Sequence, residues 1–225
     1  MNPADLPFLT QSELLAFARG LWHSLLVSSI GMLLGIFIGI AMGAFRNARL
    51  PVVSTLAAVY VNIFRCTPLL VQIFLLYFAL PEVGIRLSPF QAAFISLGLW
   101  GGAYQCEVMR AGFDAVPRQQ ILAARALGLP ALRTFLAVVL PIGFRTSLPS
   151  ATTTALTQFR SSSFMIVISY TELTYVANRL ASDTFEVFRI FGTASLIYLG
   201  VSFLISSASR QLERHLHVPG LGVAS

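Results

Sequence analysis

Long runs of apolar residues, separated by short charged segments, restrict this chain to a membrane fold. Of its 225 residues, 56% are hydrophobic and only 11% are charged, whereas soluble domains carry roughly 25% charged residues. A helix needs about 20 apolar residues to cross a bilayer, and several runs reach that length. The sequence does not show the short alternating segments of a membrane β-barrel. The pattern therefore predicts an all-α polytopic membrane protein.

Five of the apolar runs are predicted to span the membrane. The second is longer than one crossing needs, so we expect it to be tilted or bent, with a kink at Pro68, which lacks a backbone donor. The fourth contains Pro141 and Pro149, and its spanning part is expected to begin at Pro149. The predicted spans are Leu21–Phe45, Val52–Leu80, Pro89–Gly112, Pro149–Tyr170 and Phe188–Ala208.

Glycines recur every four residues in the first predicted span, at Gly31, Gly35, Gly39 and Gly43. Residues four apart lie on one face of a helix. A face of small residues lets another backbone approach closely. We therefore expect this face to pack against a core helix of the same subunit.

The distribution of arginine predicts the orientation of the chain. All 15 basic residues are arginine. Nine lie on one side of the predicted spans, in segments 46–49 and 110–145 and in the tail, and four lie on the other side. Because basic loops stay in the cytoplasm, we expect a cytoplasmic C-terminus and an N-terminus on the opposite side of the membrane.

This orientation gives three predicted regions. Residues 1–19 form an N-terminal periplasmic segment, with a short interfacial helix from Gln11. Residues 20–213 form the transmembrane domain, and residues 214–225 form a cytoplasmic tail. The polar segment between the last two spans, Thr171–Glu186, is expected to face the periplasm as a solvated amphipathic helix.

A basic hairpin at about 117–147 lies between two of these spans. The stretch Pro117–Pro149 carries four arginines and no acid, and it is predicted to form two short helices broken at Gly128 and Pro130. Such a hairpin fits a docking surface for a cytoplasmic partner. From the residues alone, an amphipathic helix lying on anionic lipid fits equally well.

The sequence also indicates what the chain does not do alone. A phosphate-binding P-loop needs a lysine after its glycine-rich turn, and the chain has no lysine. We expect no catalytic residue, metal site or cofactor in this chain, so any ATP-Mg belongs to a partner subunit. We expect no nucleic-acid partner, because the arginines are explained by cytoplasmic loops.

Three segments together resemble one family. Asn62–Phe78, Gly101–Pro149 and Phe185–Leu199 are similar to the permease subunits of ABC importers for polar amino acids, of the histidine, glutamine and arginine type. The resemblance implies a type I ABC importer permease fold that pairs with an identical or homologous permease. It also implies an ATP-binding cassette subunit on the hairpin and a periplasmic amino-acid-binding protein outside.

The hairpin resembles the cytoplasmic signature of this family, in which Glu-Ala-Ala precedes a Gly and then a Leu-Pro. Leu122 occupies the place of the glutamate, which removes one polar contact and favours a heteromeric pair of permeases. Arg125 is expected to meet acidic groups on the ATP-binding subunit. The predicted coupling residues are Leu122, Ala123, Ala124, Arg125, Gly128, Leu140 and Pro141.

Charged and polar residues within the predicted spans mark a substrate pathway. A central arginine costs about 2.5–3.5 kcal/mol on insertion scales, so Arg160 must face protein, water or a ligand. Arg160 is expected to meet the α-carboxylate of an amino acid, and Glu107 its α-amino group. The alternative is that Arg65 or Arg160 pairs with Glu107, or with the partner permease, for structure alone. The predicted pathway residues are Gln158, Arg160, Ser161, Ser162, Ser163, Glu107 and Arg65.

Two other function classes compete with an ATP-driven importer. An ion-coupled secondary transporter would show internal repeats and interrupted helices in matching halves, and no clear repeat is found. An intramembrane enzyme would need a pair of catalytic groups within the spans, and Glu107 is the one acid placed there.

Overall fold

The computed structural model describes residues 9–47 and 51–216, with side chains up to residue 211. The described part is almost entirely helical and contains no strand. The α-helices are α1 Gln11–Asn47, α2 Pro51–Cys66, α3 Leu69–Phe74, α4 Pro89–Asp114, α5 Arg118–Ala126, α6 Ala131–Thr134, α7 Leu140–Ser161, α8 Leu173–Thr184 and α9 Val187–Leu216.

The glycines of α1 pack directly against α4. A Cβ atom on Gly31 would clash with Leu97, and one on Gly39 would lie 2.9 Å from the backbone carbon of Gln105. Gly43 lies in the same way against Met109. From one contact to the next, the residue numbers rise in both helices, so α1 and α4 run parallel. Their backbones nearly touch along this face. The expectation of packing within the subunit is confirmed.

Helix α4 is the centre of the fold, because α7 covers its other side. Gln158 Nε2 donates to the Leu97 carbonyl oxygen at 2.9 Å, and Gln105 Nε2 donates to that of Ala151 at 3.1 Å. From the first pair to the second, the residue number rises in α4 and falls in α7, so the two helices are antiparallel. The first turn of α4 is closed by a capping box between Ser88 and Gln91.

Three described helical stretches are long and apolar enough to cross a membrane, and a fourth is added if the bent pair α2–α3 counts as one span. Helix α4, the predicted third span, is long enough but is not apolar enough to be one of these stretches. Its 26 residues nevertheless extend about 39 Å, enough to cross. Its many buried small and polar residues, such as Gly101 and Gln105, are directed at α1 and α7, which explains its lower apolar content.

The second predicted span, Val52–Leu80, is wrong as a single helix. The chain turns by 103° between α2 and the helical stretch Leu69–Val83. The predicted kink at Pro68 is confirmed, although it is much sharper than a tilt. Pro68 cannot donate to the Phe64 carbonyl oxygen, and Gln72 Nε2 donates to that oxygen at 2.9 Å instead. The side chain of Gln72 thus stabilises the bend.

The fourth predicted span, Pro149–Tyr170, is wrong at its start. One helical stretch of 38 residues runs from Ala131 to Ile168, and Pro149 lies inside it. The chain widens into a π turn at Phe135–Val139 just before Pro141, which then occupies the first turn of α7. A missing N–H costs least there for Pro141. Pro149 lies in the interior of α7, and the helix continues through it.

The predicted periplasmic segment Thr171–Glu186 forms α8, but it is not simply solvated. The Leu173 N–H donates to Ser24 Oγ at 3.0 Å, and Val176 packs on Gly20 of α1. Glu172 is fully buried and accepts hydrogen bonds from the backbone N–H groups of Thr174 and Tyr175 and from the Tyr198 hydroxyl. Helix α8 therefore folds back along α1 and α9.

The two ends of the described chain continue their neighbouring helices. Helix α1 begins at Gln11 and passes position 20 without a break, so the expected interfacial helix is the first part of a longer one. Helix α9 continues to Leu216. The rest of the predicted N-terminal segment, residues 1–8, and of the tail, residues 217–225, lies outside the described residues.

Candidate functional site

Helix α7 presents an exposed polar stripe. Ser150, Thr153, Thr157 and Arg160 are all exposed. Their spacing of three or four residues places them on one helix face. The Thr153 and Thr157 hydroxyls donate to carbonyl oxygens one turn earlier, but hydrocarbon cannot satisfy the Arg160 guanidinium. The Arg160 end of the stripe therefore faces water or another protein.

Arg160 is the charged end of this stripe. Its Nε atom donates to Ser202 Oγ at 3.4 Å, near the limit of a hydrogen bond. Ser202 lies away from both ends of the apolar helical stretch Val187–Gln211, so Arg160 contacts the inner part of α9. Among the described residues, no carboxylate pairs with it. Its guanidinium is therefore available to an anion.

The neighbouring predicted pathway residues lie elsewhere on the helix. Gln158 is fully buried against Gly101 of α4. Ser161 is also buried, and Ser162 Oγ donates to the Phe159 carbonyl oxygen at 2.7 Å. Ser163 is half-buried. The structure thus brings Arg160 to the exposed stripe and places Gln158, Ser161 and Ser162 in the interior of the subunit.

Glu107 lies at the opposite end of the stripe, in a network of charges. It pairs with Arg46, and its Oε2 accepts from Arg110 Nη2 at 3.0 Å. Neither Arg65 nor Arg160 pairs with Glu107 in the described part of the chain. A cleft of about 360 Å³ joins Glu107 to Thr146, Ser147 and Ser150.

The distance between Glu107 and Arg160 limits what one substrate can contact. Ser150 shares the cleft with Glu107, and Arg160 is ten residues, or about 15 Å, further along α7. The amino and carboxylate groups of an α-amino acid share one carbon atom. One molecule therefore cannot place both groups on Glu107 and Arg160 at the same time, and Glu107 belongs to the mouth of the stripe.

Arg65 lies on α2 rather than on the α7 stripe. Its guanidinium carbon is 5.1 Å from the ring centroid of Tyr104 on α4. This distance is within the range of a cation–π contact. The Arg65 side chain is exposed in the isolated chain, so it is also within reach of a partner.

The predicted basic hairpin forms an elbow at residues 117–134. Helix α5 ends before Gly128, which has φ +80°, and α6 begins after Pro130. The predicted break at these two residues is confirmed. A left-handed glycine ends the first helix and the proline prevents it from continuing.

The predicted coupling residues divide into two groups. Leu122, Ala123, Arg125 and Gly128 are exposed on the elbow, whereas Ala124 is buried against the rest of the chain. Leu127 was not predicted, yet it is 83% exposed and is the most prominent apolar side chain of the turn. Leu140 and Pro141 lie beyond the elbow in the first turn of α7.

Contacts between charged or polar residues lie at two opposite ends of the subunit. Arg46 and Asn47 of α1 contact Glu107 and Asp114 of α4, next to the elbow. At the other end, Glu13 accepts from Arg189 of α9 at 2.7 Å. This division agrees with the two sides predicted from the arginines. Arg49 lies outside the described residues.

Sequence reasoning missed the residues Ser150, Thr153 and Thr157. Their helical spacing was readable in the letters. The more conspicuous polar run is the three serines that follow Arg160, and the prediction was restricted to these, Arg160 and Gln158 in this helix.

Comparisons with known proteins agree with this architecture. Residues 31–218 match the family described as "Binding-protein-dependent transport system inner membrane component". A probable glutamine ABC transporter permease protein, GlnP of Bacillus subtilis strain 168, is 34% identical over 207 residues, covering 91% of this chain and 95% of that protein. The nopaline transport system permease protein NocM of Agrobacterium fabrum is 34% identical over 193 residues, covering 81% and 80% of the two chains.

Solved structures show the same fold. A chain of an amino acid ABC transporter crystallised with histidines superposes with a TM-score of 0.83 at 26% identity, covering 93% of this chain and 99% of that one. A chain of the inward-facing MetNI methionine ABC transporter superposes with a TM-score of 0.82 at 19% identity, covering 93% and 100%. The fold is that of a type I ABC importer permease.

Proposed function

Because the chain belongs to the family of binding-protein-dependent transport system inner membrane components, we propose that it is the permease subunit of an ATP-driven importer for a polar or charged amino acid. Relatives named as glutamine and nopaline permeases support this class of substrate. An ion-coupled secondary transporter does not fit the family, whose members are described as parts of binding-protein-dependent systems.

The exposed polar stripe of α7 carries this proposal. The exposed guanidinium of Arg160 cannot be turned towards lipid, and three further polar residues lie on the same helix face. A second permease, identical or homologous, faces the stripe, and the two subunits enclose a polar pathway. Arg160 attracts the α-carboxylate of the substrate within this pathway. Thr153 and Thr157 supply acceptor oxygens along the way, because their hydroxyl hydrogens are donated to carbonyls one turn earlier.

The elbow is the part that couples this pathway to ATP. The exposed Leu127 and Ala123 dock on an ATP-binding cassette subunit, which binds ATP-Mg and closes around it. Leu122 presents an apolar contact where the family resemblance has an acid. The opposite end of the subunit, near Glu13 and Glu186, receives an amino-acid-binding protein in the periplasm. In this arrangement the N-terminus is periplasmic and the C-terminus cytoplasmic in a bacterial inner membrane.

Uptake by a reconstituted assembly tests the proposal. The permease is purified with its ATP-binding subunit, placed in proteoliposomes with the binding protein outside, and assayed with radiolabelled glutamine, arginine and histidine. We expect uptake of at least one of these to require both internal ATP and the binding protein. Substitution Leu127→Glu should abolish coupling to ATP, whereas Leu127→Met, which keeps an apolar side chain at this exposed position, should not. Uptake driven by an ion gradient without ATP would contradict the proposal.

A further inference from the structure

A groove of about 940 Å³ lies between the elbow and the ends of α1 and α4. This volume is in the upper part of the range of about 300–1,000 Å³ that is usual for small-molecule pockets. Its walls are mostly aromatic and aliphatic, so the groove suits an apolar occupant. The apolar lining includes Ala44, Phe45, Phe113, Ile121, Phe135 and Leu136.

The walls of this elbow groove belong to membrane-spanning segments. Ala44 and Phe45 lie in the stretch Gln11–Asn47, and Phe135 and Leu136 lie in the stretch Ala131–Ile168. Leu136 is 53% exposed, so the groove is open on this side. These residues lie at the ends of the two stretches, which are longer than the hydrocarbon core, so the groove is at the level where lipid head groups lie.

Two arginines line the same groove from α5. Arg118 and Arg125 are seven residues apart, which places them on one side of the helix. Neither has a hydrogen-bond or ion-pair partner among the described residues. The one acid in the lining, Asp114, already accepts from Arg110 at 2.8 Å and from Asn47 at 3.2 Å. The groove therefore combines an apolar interior with two free positive charges.

We propose that the elbow groove binds one anionic phospholipid. An acyl chain fills the apolar interior, and the phosphate group lies between Arg118 and Arg125. Basic pockets between membrane helices bind anionic lipid head groups in this way. The tip of the elbow, with Leu127, remains free for the ATP-binding subunit. The lipid would thus hold the elbow against α1 and α4, whatever the substrate of the transporter.

Binding of spin-labelled phosphatidylglycerol to the full-length chain in phosphatidylcholine nanodiscs tests this site. The variant R118Q/R125Q removes both charges of the groove. The matched control R133Q/R145Q removes two exposed arginines from the same basic stretch that do not line it. An arginine in contact with an anionic head group contributes about a fivefold change in affinity, so loss of both contacts in R118Q/R125Q should weaken binding about thirtyfold. The control should remain within about twofold of the unsubstituted chain.

A second variant tests the apolar part of the groove. Leu136→Trp adds bulk at an open position and leaves both arginines in place, so it should weaken phosphatidylglycerol binding without loss of folded protein. Equal binding by the two arginine variants would overturn the proposal. So would loss of the ATP-binding subunit from R118Q/R125Q with lipid binding retained, since the groove would then be a protein-docking site. Neither result depends on which solute is transported.

Discussion

Helix α7 carries polar side chains on two faces, and the surroundings of the two faces differ. On one face, Gln158 donates to the Leu97 carbonyl oxygen of α4, and the Ala151 carbonyl oxygen accepts from Gln105 of α4. On the other, Thr153, Thr157 and Arg160 are exposed, and Arg160 has one weak partner. Polar residues in a membrane span thus serve two purposes in one helix. The buried face joins helices, and the exposed face offers a polar surface to a partner or a substrate.

The largest expected effect comes from disturbing the buried face. Gly112 of α4 lies against α7, and a Cβ atom there would be 2.5 Å from the Gly143 carbonyl oxygen and would collide with Ser147 Oγ. The neighbouring helix backbone must move, and such overpacking costs roughly 1–3 kcal/mol, occasionally more. We expect Gly112→Ala to lower the melting temperature of the purified protein in detergent and to reduce its yield.

Gly200→Ala is the matched control for this change. It is also a glycine in a spanning helix, but a Cβ atom there meets nothing within 4 Å. Since alanine favours a helix over glycine by about 1 kcal/mol, Gly200→Ala should leave the melting temperature unchanged or raise it. Equal melting temperatures for both variants would mean that α4 and α7 are less tightly packed than described here.

The exposed face should give the opposite result, with loss of transport and no loss of stability. Arg160→Gln removes the charge of the stripe while leaving its buried neighbours in place. Because hydrogen bonds to charged groups contribute about 1.5–3 kcal/mol, we expect uptake at low substrate concentration to fall about ten- to hundredfold. Arg160→Lys keeps the charge and should restore part of the uptake. Full activity of Arg160→Gln, with normal assembly, would remove Arg160 from the pathway.

Gln158→Leu sharpens the contrast, because Gln158 is only two residues from Arg160 but is buried. It keeps a similar volume, and Gln158 Oε1 already lacks a partner among the described residues. The change removes the hydrogen bond to the Leu97 carbonyl oxygen, and a typical hydrogen bond contributes about 0.5–1.5 kcal/mol. We expect a small change in melting temperature and uptake within about twofold of the unsubstituted protein. A large loss of uptake at normal stability would place Gln158 in the pathway after all.

The sequence predicts the two faces only in part. The glycine period of α1 predicted close packing against a core helix of the same subunit, and the structure identifies that helix as α4. The amino-acid sequence around Arg160 does not show which polar side chains are exposed. That depends on Gly101 of α4, which leaves room for the Gln158 side chain, and this pairing joins residues far apart in the chain.

The prolines show the same limit of prediction from sequence. Pro68 and Pro149 both interrupt apolar runs, yet the chain turns by 103° at Pro68 and continues as a helix through Pro149. At Pro68, Gln72 satisfies the carbonyl oxygen that the proline leaves free and so stabilises a sharp bend. Each proline weakens a helix by the same missing donor, and its tertiary surroundings decide whether the helix bends.

The smallest expected effect concerns Ser202, the one described partner of Arg160. The Nε to Oγ distance of 3.4 Å indicates a weak hydrogen bond, so it contributes little to holding the guanidinium. If Arg160 acts on an anion in the pathway, Ser202→Ala should leave maximal uptake intact and change the apparent substrate affinity by no more than about twofold. If Arg160 is instead a structural residue held by Ser202, the same variant should lower the melting temperature as much as Arg160→Gln does. Measuring both properties on both variants therefore separates a pathway arginine from a helix-joining one.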